Sequence, residues 1–241
     1  MRQIQKSKEL EDLENKRNKI SFSLKFVTAA AALVGVVWSF FSASADGYSH
    51  WSKRLLYFTS QSNLWIGLTF ALILVLGRAG RLSEDTRVKN LLYILKYIFT
   101  VSITLTGFIF CAVLAPGAAN ANYNAWSAAS ILTHVVVPAL SVVDFFVDTY
   151  RVPLTRRHSL LSVTPPLLYS VFASVLCVMK VDFGRGEPFP YFFFNYYSPA
   201  GVFGTSEVMP YRIGSFYWIV FILLVILGVS ALYRRLYNKD K

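Results

Sequence analysis

The 241-residue sequence has little charge and few of the residue types from which soluble active sites are built. Only 15% of its residues are Asp, Glu, Lys or Arg, whereas soluble domains usually carry about 25%. Its two cysteines, Cys111 and Cys177, each lie inside an apolar run with no Cys or His at metal-ligand spacing. Such cysteines behave as small hydrophobic residues, so neither predicts a metal site or a redox centre.

Several cofactor signatures are also missing from the sequence. It has no Gly-rich phosphate loop, no zinc motif, no paired-carboxylate site and no repeated unit. Of its three histidines, His50 and His158 lie in predicted loops on opposite sides, which leaves His134 without a second axial ligand for a haem. We therefore expect no cofactor and no metal.

What the sequence does have is long apolar blocks, with 55% hydrophobic residues and a mean hydropathy of +0.47. A helix of roughly 20 apolar residues is long enough to cross the hydrocarbon core of a bilayer. The sequence therefore predicts an all-α, polytopic membrane protein with a polar N-terminal segment (1–20), a transmembrane domain (21–233) and a basic tail (234–241). The six predicted spans are 21–41, 57–77, 91–115, 126–147, 160–179 and 215–233.

The positive charges predict the topology of the protein rather than a nucleic-acid partner. The net charge is +11, but the Lys and Arg residues collect in the short segments between the apolar blocks. With six spans, 19 of them fall on the side of the two chain ends and 5 on the other side. By the positive-inside rule both termini are cytoplasmic. The polar leader is too long and too acidic for a signal peptide, so we expect an uncleaved first span.

The longest predicted loop, 180–214, is unusually aromatic. Its segment Pro188–Tyr197 reads PFPYFFFNYY, which is atypical of a loop in water. Tyr and Trp favour the headgroup level of a bilayer, so we expect this loop to lie on or dip into the interface. Two interpretations are open, a lid over the helix bundle and an aromatic anchor without a gating role.

Polar residues interrupt two of the spans where they enter from the non-cytoplasmic side. At about 100° per residue, Thr59, Ser62 and Asn63 share one face of the second span, while Gln61 points elsewhere. On the fourth span a stripe runs through His134 and includes Ser127, Ser130, Pro138, Ser141 and Asp148, with Asp144 at its edge. By helix rise Thr59 and His134 lie roughly 8 and 15 Å inside, so helix tilt allows them to pair.

A hydroxyl beside an imidazole indicates acyl transfer. Threonine becomes a nucleophile when a neighbouring base takes its proton, and imidazole is the usual base. Asn63 or Ser62 is then available as an oxyanion donor, and Gln61 and Ser130 complete the set of candidate supporting residues. No acid that would orient His134 is evident, because Asp144 and Asp148 are too far along the helix.

Three alternatives are open at this point. The polar side chains could serve only as interhelical hydrogen-bond partners and helix caps. The stripe on the fourth span, with Asp144 and Asp148, could line a pathway for a proton or a small solute. The protein could also be a non-catalytic lipid-binding or scaffold protein.

Two short motifs carry a resemblance to a known family. Tyr57-Phe58-Thr59 followed by Asn63, and the segment Leu132–Pro138 (LTHVVVP), resemble the androgen-induced and androgen-dependent multipass membrane proteins and their prokaryotic six-pass relatives. The resemblance implies an intramembrane threonine hydrolase that cleaves lipid esters such as fatty acid esters of hydroxy fatty acids, with Thr59 as nucleophile and His134 as its partner. The animal members place Asn closer to the Thr, whereas here Ser60-Gln61-Ser62 precedes Asn63.

Overall fold

The computed structural model describes residues 2–117 and 124–239, and every extended regular element in these ranges is helical. Six helices are long and apolar enough to cross a membrane, which confirms the predicted number. They are α1 (Gln5–Phe41, helical from Arg2), α2 (Phe58–Arg78), α3 (Thr86–Leu114), α4 (Ala128–Val147), α5 (Arg156–Val178) and α6 (Ser215–Lys239). Met1, Asp240 and Lys241, which belong to the predicted terminal segments, lie outside the described residues.

The helices begin and end where local chemistry allows, and in places this differs from the predicted bounds. From Arg2 onward, the polar N-terminal segment continues into the first span as one helix. Helix α3 begins earlier than predicted because the Asp85 side chain accepts hydrogen bonds from the backbone N–H groups of Arg87 and Val88. Helix α5 is interrupted at 162–163, before Pro165, and its second part begins at Thr164. Proline is tolerated at this first turn because its missing N–H has no intrahelical partner there.

Small residues set the close packing of α1 against α2 and α4. A Cβ atom built on Gly67 would lie 3.1 Å from Ala32 Cβ, and one built on Gly35 would lie 2.8 Å from Thr133 Cγ2. In membranes such contacts allow helix backbones to approach closely. Helix α1 therefore holds α2 and α4, the two helices with polar interruptions, beside each other.

The two ends of the bundle differ in character. At one end, here called the tail end, Arg17 Nε donates to the Val147 carbonyl, and the Val152 N–H donates to Tyr237 Oη. The other end, here called the loop end, contains the start of α2 and the loop 180–214. Thr59 lies at the loop end.

The aromatic loop packs into the bundle instead of lying only on its surface. Phe183, Phe193 and Phe194 are each less than 5% exposed. The Ser49 N–H donates to the Gly184 carbonyl at 2.6 Å, and this glycine adopts a positive φ of 116°. A Cβ at Gly184 would lie 2.5 Å from the ring of Tyr48, so the tight turn requires glycine. The loop is thus fixed against the connection between α1 and α2.

Four charged side chains are buried together between α1, α3 and α4. Lys25 Nζ lies 3.1 Å from Asp144 Oδ1 and 2.7 Å from Asp148 Oδ2. Lys96 Nζ lies 2.5 Å from Asp144 Oδ2 and also pairs with Asp148. All four side chains, here called the charge cluster, are at most 6% exposed. Two positive and two negative charges compensate one another, which is the condition for keeping charge inside an apolar bundle.

Candidate active site

The structure brings Thr59 and His134 into direct contact. Tyr57 is extended, α2 begins at Phe58, and Thr59 therefore lies in the first turn of the helix. Its side-chain oxygen Oγ1 lies 3.2 Å from His134 Nε2, although the two residues are 75 positions apart in the chain. This distance is within the reach of a nucleophile and its general base.

The hydrogen bond made by the other imidazole nitrogen, Nδ1, determines the tautomer of His134. Nδ1 lies 2.9 Å from the Ser130 carbonyl oxygen, and the hydroxyls of Ser130 and Thr133 lie 3.2 Å from the same nitrogen. A carbonyl oxygen can only accept, so Nδ1 carries the proton and donates. Nε2 then has its lone pair directed at the Thr59 hydroxyl, as a base requires. A backbone carbonyl fills the orienting role for which the sequence showed no acid.

The backbone of α4 departs from α-helical geometry at His134. Residues Leu132–Val136 form a single π-helical turn, closed by a bond from the Val137 N–H to the Leu132 carbonyl. Pro138 has no N–H, so the ordinary α-helical bond to the His134 carbonyl cannot form. Isolated π turns of this kind occur frequently at functional sites.

Phe110 and Gly107 of α3 pack against the His134 turn. The rings of Phe110 and His134 stack, with centroids 4.1 Å apart and an interplanar angle of 23°. One turn earlier on α3, a Cβ built on Gly107 would lie 2.9 Å from the His134 carbonyl oxygen and 3.0 Å from Pro138 Cβ. At Gly107, α3 therefore packs directly against the backbone of the His134 turn.

Replacing Gly107 by Ala should therefore destabilise the protein. The added methyl group has to displace the backbone of the His134 turn, and overpacking of this kind costs about 1–3 kcal/mol. Gly228→Ala in α6 is the matched control, because a Cβ there meets no atom within 4 Å. Thermal unfolding in detergent would measure both variants. Equal midpoints for the two would contradict the close approach at Gly107.

The amide of Asn63 and the hydroxyl of Ser62 support the architecture of the site. Asn63 Nδ2 donates to the carbonyl oxygens of Thr59 at 2.8 Å and Thr133 at 3.0 Å, which joins α2 to α4. Ser62 Oγ lies 2.8 Å from Thr106 Oγ1 on α3. Both were predicted as oxyanion donors, and in this arrangement their hydrogen bonds point to neighbouring helices and backbone.

Gln61 and Ser130 complete the predicted set. Gln61 Nε2 donates to the Leu55 carbonyl at 3.0 Å, so the structure does not bring this side chain to Thr59 and His134. Ser130 lies one turn before His134 on α4, and it contributes both its carbonyl and its hydroxyl to Nδ1. Of the supporting residues, Ser130 is therefore the one in contact with the base.

Sequence reasoning missed Tyr191. Its hydroxyl oxygen Oη lies 3.4 Å from both the backbone nitrogen and Oγ1 of Thr59. Burial raises the pKa of Tyr191 to about 12, so the phenol keeps its proton at neutral pH. The only sequence signal was the aromatic character of the loop 180–214, which predicts a lid or an anchor and does not single out one residue.

A narrow cavity of about 50 Å³ opens beside Thr59. Its walls come from α2, α3, α5, α6 and the aromatic loop, and they are mostly apolar. They comprise Phe58, Thr59, Leu105, Thr106, Ile109, Leu114, Pro166, Tyr169, Ser170, Tyr191, Phe193, Phe194 and Ile222. The cavity volume is well below the roughly 300–1,000 Å³ of typical ligand pockets, so it has room for a small group beside the Thr59 hydroxyl but not for a whole hydrocarbon chain. No cluster of three or more His, Cys, Asp or Glu side chains that could hold a metal occurs in the described ranges.

Comparisons with family models, with curated proteins and with solved structures found no match for this chain. The contacts around Thr59 are therefore the main support for a function.

Proposed function

We propose that this protein is an intramembrane threonine hydrolase that cleaves lipid esters, such as fatty acid esters of hydroxy fatty acids. We further propose that it is related to the androgen-induced and androgen-dependent multipass membrane proteins whose motifs it resembles. One observation carries the proposal: Thr59 Oγ1 lies 3.2 Å from His134 Nε2, while Nδ1 donates to the Ser130 carbonyl. Both the distance and the tautomer are those of a hydroxyl nucleophile with its base.

In the proposed reaction Thr59 Oγ1 attacks the ester carbonyl carbon and gives its proton to His134 Nε2. The tetrahedral intermediate collapses when His134 returns that proton to the leaving alcohol oxygen. The acyl group stays on Thr59 as an ester. His134 then takes a proton from a water molecule whose oxygen attacks the acyl carbon, and it gives this proton to Thr59 Oγ1 as the bond to the acyl carbon breaks and the fatty acid leaves. Because the Ser130 carbonyl holds Nδ1–H throughout, the imidazole faces the reacting atoms in every step.

The cavity beside Thr59 supports an acyl substrate. Apart from the hydroxyls of Thr59, Thr106, Ser170 and the two tyrosines, the side chains that line it are apolar. A fatty acyl chain is larger than this cavity, so with its carbonyl at Thr59 the chain would have to extend between α3, α5 and α6 into the surrounding lipid. Since lipid surrounds these helices in a bilayer, we propose that the substrate enters laterally from the membrane.

The proposed orientation places both termini in the cytoplasm and Thr59 in the outer half of the bilayer. The distribution of 19 Lys and Arg residues on one side and 5 on the other supports it. The substrate would then come from the outer leaflet.

A transport pathway along α4 has less support from the contacts. Asp144 and Asp148, the acidic residues of its polar stripe, are paired with Lys25 and Lys96 in the charge cluster. An ion or proton moving along this stripe would have to break pairs buried from solvent, which is costly. The other alternative, a non-catalytic lipid-binding protein, can be tested directly by covalent labelling of Thr59.

Labelling with a fluorophosphonate probe tests the proposal, because such probes react with activated hydroxyl nucleophiles. The purified wild-type protein should be labelled on Thr59, as located by peptide mass spectrometry. Thr59→Ala and His134→Ala should lose labelling, whereas Thr69→Ala, in the same helix, should keep it. An unlabelled wild type, or a label on another residue, would contradict the assigned nucleophile.

A further inference from the structure

Because Thr59 lies at the start of α2, its backbone N–H is available to bind a group outside the helix. The first four N–H groups of a helix have no acceptor within the helix, and Thr59 is the second residue of α2. Its N–H donates to Tyr191 Oη at 3.4 Å. A group that already faces a hydroxyl oxygen of the aromatic loop can face a substrate oxygen in the same place.

The Tyr191 hydroxyl is held at this position by packing of its ring. The ring stacks on Phe193, with centroids 5.2 Å apart, and meets Tyr57 and Tyr169 at 5.7 and 6.4 Å. Its Oη lies 3.4 Å from Thr59 Oγ1. Because the Thr59 hydroxyl donates to His134, the Tyr191 O–H is the donor in this second contact.

We propose that Tyr191 is a catalytic residue whose O–H forms the oxyanion hole together with the Thr59 backbone N–H. This inference depends on the proposed function, because it assigns a role in the same reaction. The side chains predicted as oxyanion donors are engaged elsewhere: Asn63 with two carbonyl oxygens and Ser62 with Thr106.

In the proposed reaction, negative charge develops on the carbonyl oxygen of the substrate, and both the Tyr191 O–H and the Thr59 N–H donate to that oxygen. As the bond forms between Thr59 Oγ1 and the carbonyl carbon, the π electrons of the C=O bond move onto its oxygen. That oxygen takes the place of Tyr191 Oη as acceptor of the Thr59 N–H, and the Tyr191 O–H turns from Thr59 Oγ1 to donate to it. Tyr191 keeps its proton, while the proton of Thr59 goes to His134. When the intermediate collapses, the electrons return to the carbonyl bond and the alcohol leaves.

The surroundings make these two hydrogen bonds effective. Phe193 and Phe194 of the loop are nearly inaccessible to solvent and cover the cavity, so little water competes for the developing charge. Donors that are already positioned in a water-poor site stabilise a transition state more than the same donors in water. The aromatic loop would thereby supply a reacting group as well as a wall.

Tyr191→Phe tests this role because it removes only the hydroxyl and keeps the ring packing. With p-nitrophenyl octanoate in detergent micelles as substrate, kcat should fall by about 10²–10³-fold while KM changes little, as for loss of one oxyanion donor. Tyr196→Phe is the matched control, since it removes a loop hydroxyl that bonds Ser174 Oγ away from the cavity. It should retain most of the wild-type kcat.

A second substrate keeps the test valid if the variant folds poorly. In the corresponding thionoester, sulfur replaces the carbonyl oxygen and accepts hydrogen bonds weakly, so the wild type should strongly prefer the oxygen ester. Residual activity of Tyr191→Phe should show much less preference. A wild type without preference, or a Tyr191→Phe variant as active as Tyr196→Phe, would overturn the role of Tyr191. A wild type that neither labels at Thr59 nor turns over the ester would instead overturn the proposed function.

Discussion

Replacing Thr59 by Val should reduce ester turnover by about 10³-fold or more, because it removes the proposed nucleophile without changing the shape of the side chain. Valine keeps one methyl group and replaces Oγ1 by another, so the cavity wall beside His134 remains in place. The rate of p-nitrophenyl octanoate hydrolysis by purified protein measures the effect.

Thr69→Val is the control for this substitution. Thr69 is a buried threonine of the same helix, and its hydroxyl donates only to the Trp65 carbonyl, one turn earlier, at 2.7 Å. We expect this variant to retain most of the activity. A similar loss in both variants would mean that α2 requires threonine for its structure and not for chemistry.

If Thr59 and His134 act in the same reaction step, substitutions at the two positions should have non-additive effects on kcat. His134→Asn removes the base and should lower kcat by about 10²–10⁴-fold. Residues that act as one unit are strongly non-additive, so the double variant Thr59→Val/His134→Asn should be no slower than Thr59→Val alone. Additive losses would contradict a shared reaction step and favour two independent structural roles.

The spans and the contact between Thr59 and His134 were predictable for the same physical reason. Apolar blocks long enough to cross a bilayer indicated the six helices, and polar residues such as Thr59 and His134 are costly inside such blocks unless they have a use. Helical periodicity then placed His134 on the polar stripe of α4. Bringing the two side chains to 3.2 Å needed the packing of α1 against α2 and α4, which depends on long-range contacts at Gly35 and Gly67.

The groups around the pair were not predictable in the same way. The π turn at Leu132–Val136 is closed by an i→i+5 hydrogen bond, one residue longer than in an α-helix. Helical periodicity placed Ser130 on the same stripe as His134, but it did not show that the Ser130 backbone carbonyl accepts from Nδ1. Tyr191 reaches Thr59 from a loop 132 positions away, and its neighbours in sequence are equally aromatic. Which of those rings faces the helix is decided by tertiary packing alone.

The ion pairs of the charge cluster were also not predicted from the sequence. The sequence placed Asp148 on the polar stripe of α4 and Asp144 at its edge, and both side chains are buried. Lys25 and Lys96 were counted only as positive charges near the cytoplasmic side. Burial opposes ionisation of Asp148, but the positive charges of Lys96 and Lys25 outweigh it and hold the pKa of Asp148 below its usual value. These lysines are therefore structural partners as well as topological signals.

Replacing Asp144 by Leu should cost about 3–5 kcal/mol of stability, because it leaves the buried lysines with one excess positive charge. Asp144 is inaccessible to solvent, accepts a 2.6 Å hydrogen bond from Ser21 Oγ and pairs with both Lys25 and Lys96. Thermal unfolding in lipid nanodiscs, followed by tryptophan fluorescence, measures the loss. Glu84→Gln gives the comparison, since its ion pair with Arg81 is exposed and exposed pairs contribute about 1 kcal/mol or less.

The double variant Lys96→Met/Asp144→Leu decides whether charge balance is the cause. It removes one charge of each sign and leaves Lys25 paired with Asp148. Because apolar residues of similar size can replace a buried ion pair at little cost, the double variant should be clearly more stable than Asp144→Leu. If it is less stable, packing around Asp144 is what matters, and the charge cluster is not held together by neutrality. If Asp144→Leu is as stable as the wild type, the aspartate carries no structural charge and the pathway along α4 again becomes the better explanation of its polar stripe.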